Sequence, residues 1–206
     1  MATIDYYFTC ASPFAYLGHR LICEVADKHR VELKFKPVNL FQIWDVSGAR
    51  PPNERPEVRQ RVRLVELQRM ADFRGLPLNP KPKYWPVDAS LADRVCAGLI
   101  EDGHDPRFFM GKVFGGLWAY EDNISDEKVL ASYLSQCGLD PVLALREGHE
   151  AWTQAKRESN AREAIAADVV GVPTYVFGGE AFWGQDRIEH LDHALSVGRS
   201  PFHAKV

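Results

Sequence analysis

A chain of 206 residues is long enough for one large domain, or for a domain carrying a substantial insertion. Its 46% hydrophobic and 26% charged residues are the proportions of a globular soluble protein. A net charge of −3, with acids and bases mixed along the chain, leaves no basic footprint for nucleic acid, and no apolar stretch approaches the length that spans a bilayer.

The opening residues Met1 to Asp5 lack a basic segment followed by an apolar one, so no secretory leader is expected. Cys10, Cys23, Cys96 and Cys137 are widely spaced, with no Cys-x-x-Cys and no paired His/Cys spacing. That pattern argues against a metal site and against a disulfide framework. Buried free thiols in a reducing, cytoplasmic compartment are the expectation.

Ile4 to Phe8 is a short β-branched and aromatic run that reads as a strand. Ser12-Pro13 follows, an N-cap residue and then proline at the first helical position. Phe14, Leu17, Leu21 and Val25 recur at helical spacing, which predicts a helix to about Lys28. Glu32 to Val38 alternates apolar and charged residues and predicts a second strand. Ser47 to Pro56 is loop-like, and Pro56 to Arg74 is helical, stopping at Gly75-Leu76-Pro77.

Arg50 to Arg74 holds seven arginines and no lysine. The interleaved Glu54, Glu57, Glu66 and Asp72 favour a solvated helix face over a positive rim beside an anionic substrate. Pro77 to Pro86 holds four prolines and cannot be regular. Helices are expected at roughly 89–102, 106–118, 126–137, 141–147 and 150–168. Thr174 to Phe177 and Ala181 to Trp183 then read as strands around a Gly178-Gly179 hairpin turn, and Gln185 to Ser196 as a closing helix.

The pattern is βαβ, a long helical block, then ββα. One sheet split by an inserted helical segment explains it, because neither terminal half could bury its own faces alone. Residues 1–40 and 167–206 are assigned to one α/β domain and 41–166 to an all-helical insertion.

Three motifs carry chemistry. In the first, Cys10 to Leu17, a strand runs into a capped helix whose free amides and dipole favour an anion such as a thiolate. Ser12 there is either an N-cap alone or a hydroxyl donor to a thiolate sulfur. Cys10, at the end of an apolar strand with no resolving partner, reads as packing rather than as a nucleophile. The second motif is Gly171-Val172-Pro173-Thr174, where Pro173 is either an ordinary turn proline or a cis proline. The cis form would leave the Val172 backbone as an open edge for a peptide ligand. The third is Phe182-Trp183-Gly184-Gln185-Asp186-Arg187, where Asp186 either caps its helix or holds a ligand ammonium.

Taken together, these motifs resemble the serine-type thioredoxin-fold enzymes, the kappa-class glutathione transferases and the 2-hydroxychromene-2-carboxylate isomerases. The resemblance runs from Tyr6-Tyr7-Phe8 through all three motifs. It implies a thioredoxin-like fold (βαβ…ββα) with a large helical insertion, and glutathione as cofactor. It implies that Ser12, beside Phe14, contacts the glutathione sulfur, and that Val172 pairs with the tripeptide backbone next to a cis Pro173. Trp183, Gly184, Gln185 and Asp186 would receive its γ-glutamyl end. Ser12-Pro13-Phe14-Ala15 stands where disulfide oxidoreductases carry Cys-x-x-Cys, and dithiol exchange needs both sulfurs.

Within the family, Ser47-Gly48-Ala49-Arg50-Pro51-Pro52 is similar to the kappa-class loop, with Ala49 in place of a glutathione-contacting asparagine. Asn53 falls near the isomerases' substrate-binding asparagine, Trp44 replaces a substrate-contacting lysine, and the stretch around Tyr84 is similar to the bacterial isomerase-like branch. Trp44, Asn53 and Tyr84 are therefore the candidate substrate residues. The leading expectation is a cis–trans isomerase acting on an aromatic unsaturated oxo acid. A glutathione transferase and a non-catalytic glutathione or peptide binder are the alternatives, and the resemblance implies a homodimer.

Overall fold

The computed structural model describes residues 2–204. The first strand, β1 (Thr3–Phe8), leads into helix α1 (Pro13–His29) and then into β2 (Glu32–Pro37). Ser12 caps α1, its Oγ accepting the Ala15 amide at 3.1 Å, and Pro13 occupies the first helical position, where no amide is needed. Strands β1 and β2 run parallel, which requires the helical crossover that α1 provides.

The helical block follows: α2 (Leu40–Ser47), α3 (Glu57–Arg74), α4 (Ser90–Glu101), α5 (Arg107–Trp118), α6 (Glu127–Gln136), α7 (Pro141–Gly148) and α8 (Ala151–Ala166). The chain then returns to the sheet with β3 (Thr174–Phe177) and β4 (Glu180–Trp183). A single 3₁₀ turn (Gln185–Arg187) leads into α9 (Ile188–Val197). The sheet order is β2-β1-β3-β4, with β3 antiparallel to both β1 and β4. The fold is the thioredoxin-like α/β class expected from the sequence.

Two differences from the expected elements stand out. Helix α2 is not marked by the sequence reading, because it is only eight residues long and buries Ile43 alone. The expected loop from Ser47 to Pro56 also contains a 3₁₀ turn at Pro52–Glu54.

Side-chain alternation along β1 builds two cores. Tyr6 and Phe8 point into the larger one, which continues without a break through Phe109, Phe114 and Trp118 of the helical block. Tyr7 points to the opposite face, under α2 and α8, with Val38, Ile43 and Ala164. Helices thus cover both faces of the sheet. Helix α1 lies so close to the 3₁₀ turn that a Cβ on Gly18 would stand 2.7 Å from Gln185 Cβ and 2.8 Å from Tyr175 Oη. Only glycine permits that approach. Among the described residues no helix is long and apolar enough to cross a membrane.

Candidate active site

Strand register gathers the three motifs. Tyr7 of β1 pairs with Thr174 of β3, and Thr174 pairs with Trp183 of β4. The segment after β1 (residues 9–14), the segment before β3 (171–173) and the segment after β4 (184–187) therefore emerge at one end of the sheet. The Gly184 amide donates to the Pro173 carbonyl at 2.9 Å and ties the second motif to the third. Thr174 Oγ1 donates to the Gly171 carbonyl at 2.6 Å and closes the second motif on itself.

At the first motif, Ser12 is buried, and its hydroxyl oxygen accepts the Ala15 amide. A hydroxyl also carries one hydrogen to donate, and that donor is unspent among the described residues. The Phe14 amide has no acceptor among the described residues. Two free donors thus meet the positive end of the α1 dipole, an arrangement suited to an anion. Cys10 is fully buried, and burial pushes its thiol well above the ordinary range, so it is inert packing rather than a nucleophile. All four cysteines are free.

At the second motif the Val172–Pro173 peptide is cis. The Val172 N–H and C=O make no hydrogen bond among the described residues. At the third, Trp183 is exposed, with its indole against Gly171, where an added Cβ would lie 3.0 Å from Nε1. Gly184 holds φ at 102°, a conformation that favours glycine, and turns the chain out of β4. Asp186 caps neither the 3₁₀ turn nor α9. Its carboxylate is exposed and, among the described residues, engages only the neighbouring Arg187, at 2.7 Å. Gln185 points inward instead. It is 2% exposed, and its Oε1 accepts Arg74 Nε at 3.2 Å and a second Arg74 nitrogen at 3.1 Å, bracing α3 against the turn.

Beside the opening turn of α1 lies a cleft of about 260 Å³. Phe14, Val58 and Val62 form its apolar lining, and Arg55, Arg59 and Arg63 its charged one, with Glu66 at the edge. The arginine-rich segment is therefore more than the solvated face its composition suggested. Arg61, Arg69 and Arg74 do pair with carboxylates, those of Glu57, Glu66 and Glu189. Arg55, Arg59 and Arg63 have no carboxylate partner among the described residues. Burial, and then Arg55, pulls the Arg63 guanidinium down to about 10; burial, and then Arg59, lowers that of Arg55.

None of the three candidate substrate residues lines this cleft. The Arg55 guanidinium stands 5.9 Å from the Trp44 ring, and the Arg63 guanidinium 4.7 Å from the ring of Trp85, the neighbour of Tyr84. The Tyr84 ring carries the Lys83 ammonium at 4.9 Å. Asn53 is exposed in its 3₁₀ turn, and its backbone carbonyl accepts Gln60 Nε2 at 3.2 Å.

One residue absent from the sequence reading shapes the site from behind. Asp93 of α4 is fully buried and accepts the Cys10 amide at 2.7 Å, Thr9 Oγ1 at 2.8 Å and the Arg157 guanidinium at 3.1 Å. Burial pushes its carboxyl up, against the downward pull of Arg157 and the Cys10 amide. An acidic residue among the apolar positions Leu91, Ala92, Val95 and Cys96 was the available signal.

Comparison with known proteins agrees with this fold. Residues 3–196 match the family described as DSBA-like thioredoxin domain. The chain is 25% identical to the 2-hydroxychromene-2-carboxylate isomerase of Sphingobium xenophagum over 195 residues, covering 94% of this chain and 97% of that one. It is 30% identical to glutathione S-transferase kappa 1 of Caenorhabditis elegans over 200 residues, covering 91% and 88%. A solved 2-hydroxychromene-2-carboxylate isomerase shares the fold with a TM-score of 0.83 at 23% identity, covering 95% of each chain. The chain belongs to the DSBA-like thioredoxin domain family, and its curated relatives, isomerases and kappa-class glutathione transferases, are enzymes.

Proposed function

We propose that this protein is a glutathione-dependent cis–trans isomerase of an aromatic α,β-unsaturated oxo acid. The observation that carries the reading is the Tyr7–Thr174–Trp183 register, which sets an unspent serine hydroxyl, an unpaired backbone edge and an exposed carboxylate at one end of the sheet. These groups match a tripeptide thiol in kind: a donor for its sulfur, a partner for its backbone and a counter-charge for its ammonium. When bound, glutathione would supply a reversibly adding thiolate, which turns a conjugated double bond into a rotatable single bond and then restores it.

The chain's own part is to orient and to stabilise. The Ser12 hydroxyl, the Phe14 amide and the α1 dipole hold negative charge at one point. Val172 would fix the peptide by strand-like pairing, and Asp186 would hold the ammonium. Free cysteines suit a reducing compartment, and we place the enzyme in the cytoplasm.

The identity to the kappa-class relative supports a second reading, a transferase that releases a stable conjugate. Following free glutathione while such an oxo acid is converted separates the two. An isomerase leaves the thiol concentration unchanged over many turnovers. Consumption of one thiol per substrate would replace the isomerase reading with the transferase.

A further inference from the structure

We infer that the cleft between Phe14 and α3 is a carboxylate site, in which Arg55, Arg59 and Arg63 grip the acid group of an aromatic ligand while its ring lies on Phe14, Val58 and Val62. The inference deepens the proposed function and rests on it for the identity of the reaction, but it stands on different residues.

On α3 the arginines that do not line the cleft each meet a carboxylate: Arg61 meets Glu57, Arg69 meets Glu66 and Arg74 meets Glu189. The three that line the cleft meet none among the described residues, and Glu66, the single acid at its edge, is engaged by Arg69. Three guanidinium groups facing one space repel each other unless an anion enters it.

Two of the three are also held in place. Arg55 donates from Nε to the Arg50 carbonyl at 2.7 Å and stacks toward Trp44, while Arg63 stacks on Trp85. These contacts cost the arginines freedom before any ligand arrives, which favours binding. Burial, and then a neighbouring arginine, lowers the pKa of both Arg55 and Arg63. Planar guanidinium forks match a planar carboxylate in bidentate geometry.

The apolar lining distinguishes the ligand class. Val58 and Val62 are 57% and 54% exposed, one turn apart on the face of α3 that carries Arg59 and Arg63, with Arg55 just before the helix. Together with Phe14 they make a surface for a flat ring. Phe14 also belongs to the first turn of α1, so a ring seated there lies beside the point where Ser12 and the α1 dipole hold negative charge.

The test uses trans-cinnamate and its uncharged amide as probes in calorimetric titrations of the intact protein, with and without glutathione. Cinnamate is expected to bind the wild type, and to bind R59Q and R63Q each about tenfold or more weakly, the loss of a charge-assisted contact. The amide should bind all three proteins alike. R61Q removes an exposed arginine already paired with Glu57 and should bind cinnamate as the wild type does. Arg59 is exposed, so R59Q keeps the test interpretable if R63Q disturbs the fold.

Cinnamate affinity unchanged in R59Q and R63Q would overturn the proposal. So would a pattern in which these variants lose affinity for glutathione alone, because the cleft would then serve the carboxylate of the tripeptide. Cinnamate binding in the absence of glutathione reads the cleft independently, so failure here leaves the glutathione site untouched, and the reverse holds as well.

Discussion

The carboxylate of Asp93 accepts the Cys10 amide at 2.7 Å, so a residue of α4 fixes the backbone that leads into Ser12. The same carboxylate takes the Thr9 hydroxyl and the Arg157 guanidinium, and the Arg157 side chain reaches the Val38 carbonyl at 3.4 Å. Three elements distant in sequence are thereby clamped behind the opening turn of α1. Asp93 touches none of the proposed ligand groups and acts as a positioning residue.

Replacing Asp93 by Asn removes the buried charge and leaves Arg157 without its partner. Breaking a buried pair in this way costs about 3–5 kcal/mol. Urea denaturation of Asp93→Asn is expected to show a lower midpoint at an unchanged slope. The double variant Asp93→Asn/Arg157→Met should lose less than the sum of the single variants, because the two groups interact directly. Additive losses would show that the pair does not act as a unit.

Much of this architecture can be read locally. The cap at Ser12-Pro13, the stop at Gly75-Leu76-Pro77 and the turn at Gly178-Gly179 each depend on a few neighbouring residues, and each lies where the sequence places it. What escapes the sequence is set by long-range packing. Asp93 lies 83 residues from the amide it holds, and Gln185 is turned inward by an arginine 111 residues away. The direction of Arg55, Arg59 and Arg63 depends on where α3 rests against Phe14, which charge spacing along one helix cannot show. Helix α2 escapes for another reason: eight residues with one buried side chain carry little periodic signal.

His19 gives the fold a dependence on pH. It is buried against Tyr6, Phe35 and Phe114, with its Nε2 2.8 Å from the Arg107 carbonyl and no partner for Nδ1 among the described residues. Burial is the main cause that lowers its pKa from the ordinary 6.5 to about 4. Between these values the unfolded chain binds a proton that the native protein does not. The contribution is therefore present above 6.5 and is lost as the pH falls toward 4, at up to about 1.4 kcal/mol per pH unit. Urea midpoints measured across that window should fall with acidification in the wild type and fall less steeply in His19→Gln. Equal slopes would remove His19 as the cause.

Asp186 is expected to set affinity rather than stability. Its carboxylate is exposed and, among the described residues, engages only Arg187, so Asp186→Asn should leave the thermal midpoint nearly unchanged. Glutathione should bind this variant about tenfold or more weakly, as for a lost hydrogen bond between charged groups. Glutathione acetylated on its amine should bind the wild type and the variant with equal weakness in calorimetry. Acetylation that leaves the affinity of the wild type unchanged would place the ammonium elsewhere.

The central claim is that Ser12 stabilises a glutathione thiolate at the start of α1, and the ultraviolet absorbance of the bound thiolate, titrated against pH in the wild type and in Ser12→Ala, tests it most directly. The wild type should ionise the bound thiol at a pH well below that of the free tripeptide, and Ser12→Ala should move the titration back by about a unit or more, the worth of one charge-assisted hydrogen bond. A bound thiol that titrates like the free tripeptide in both proteins would contradict the account.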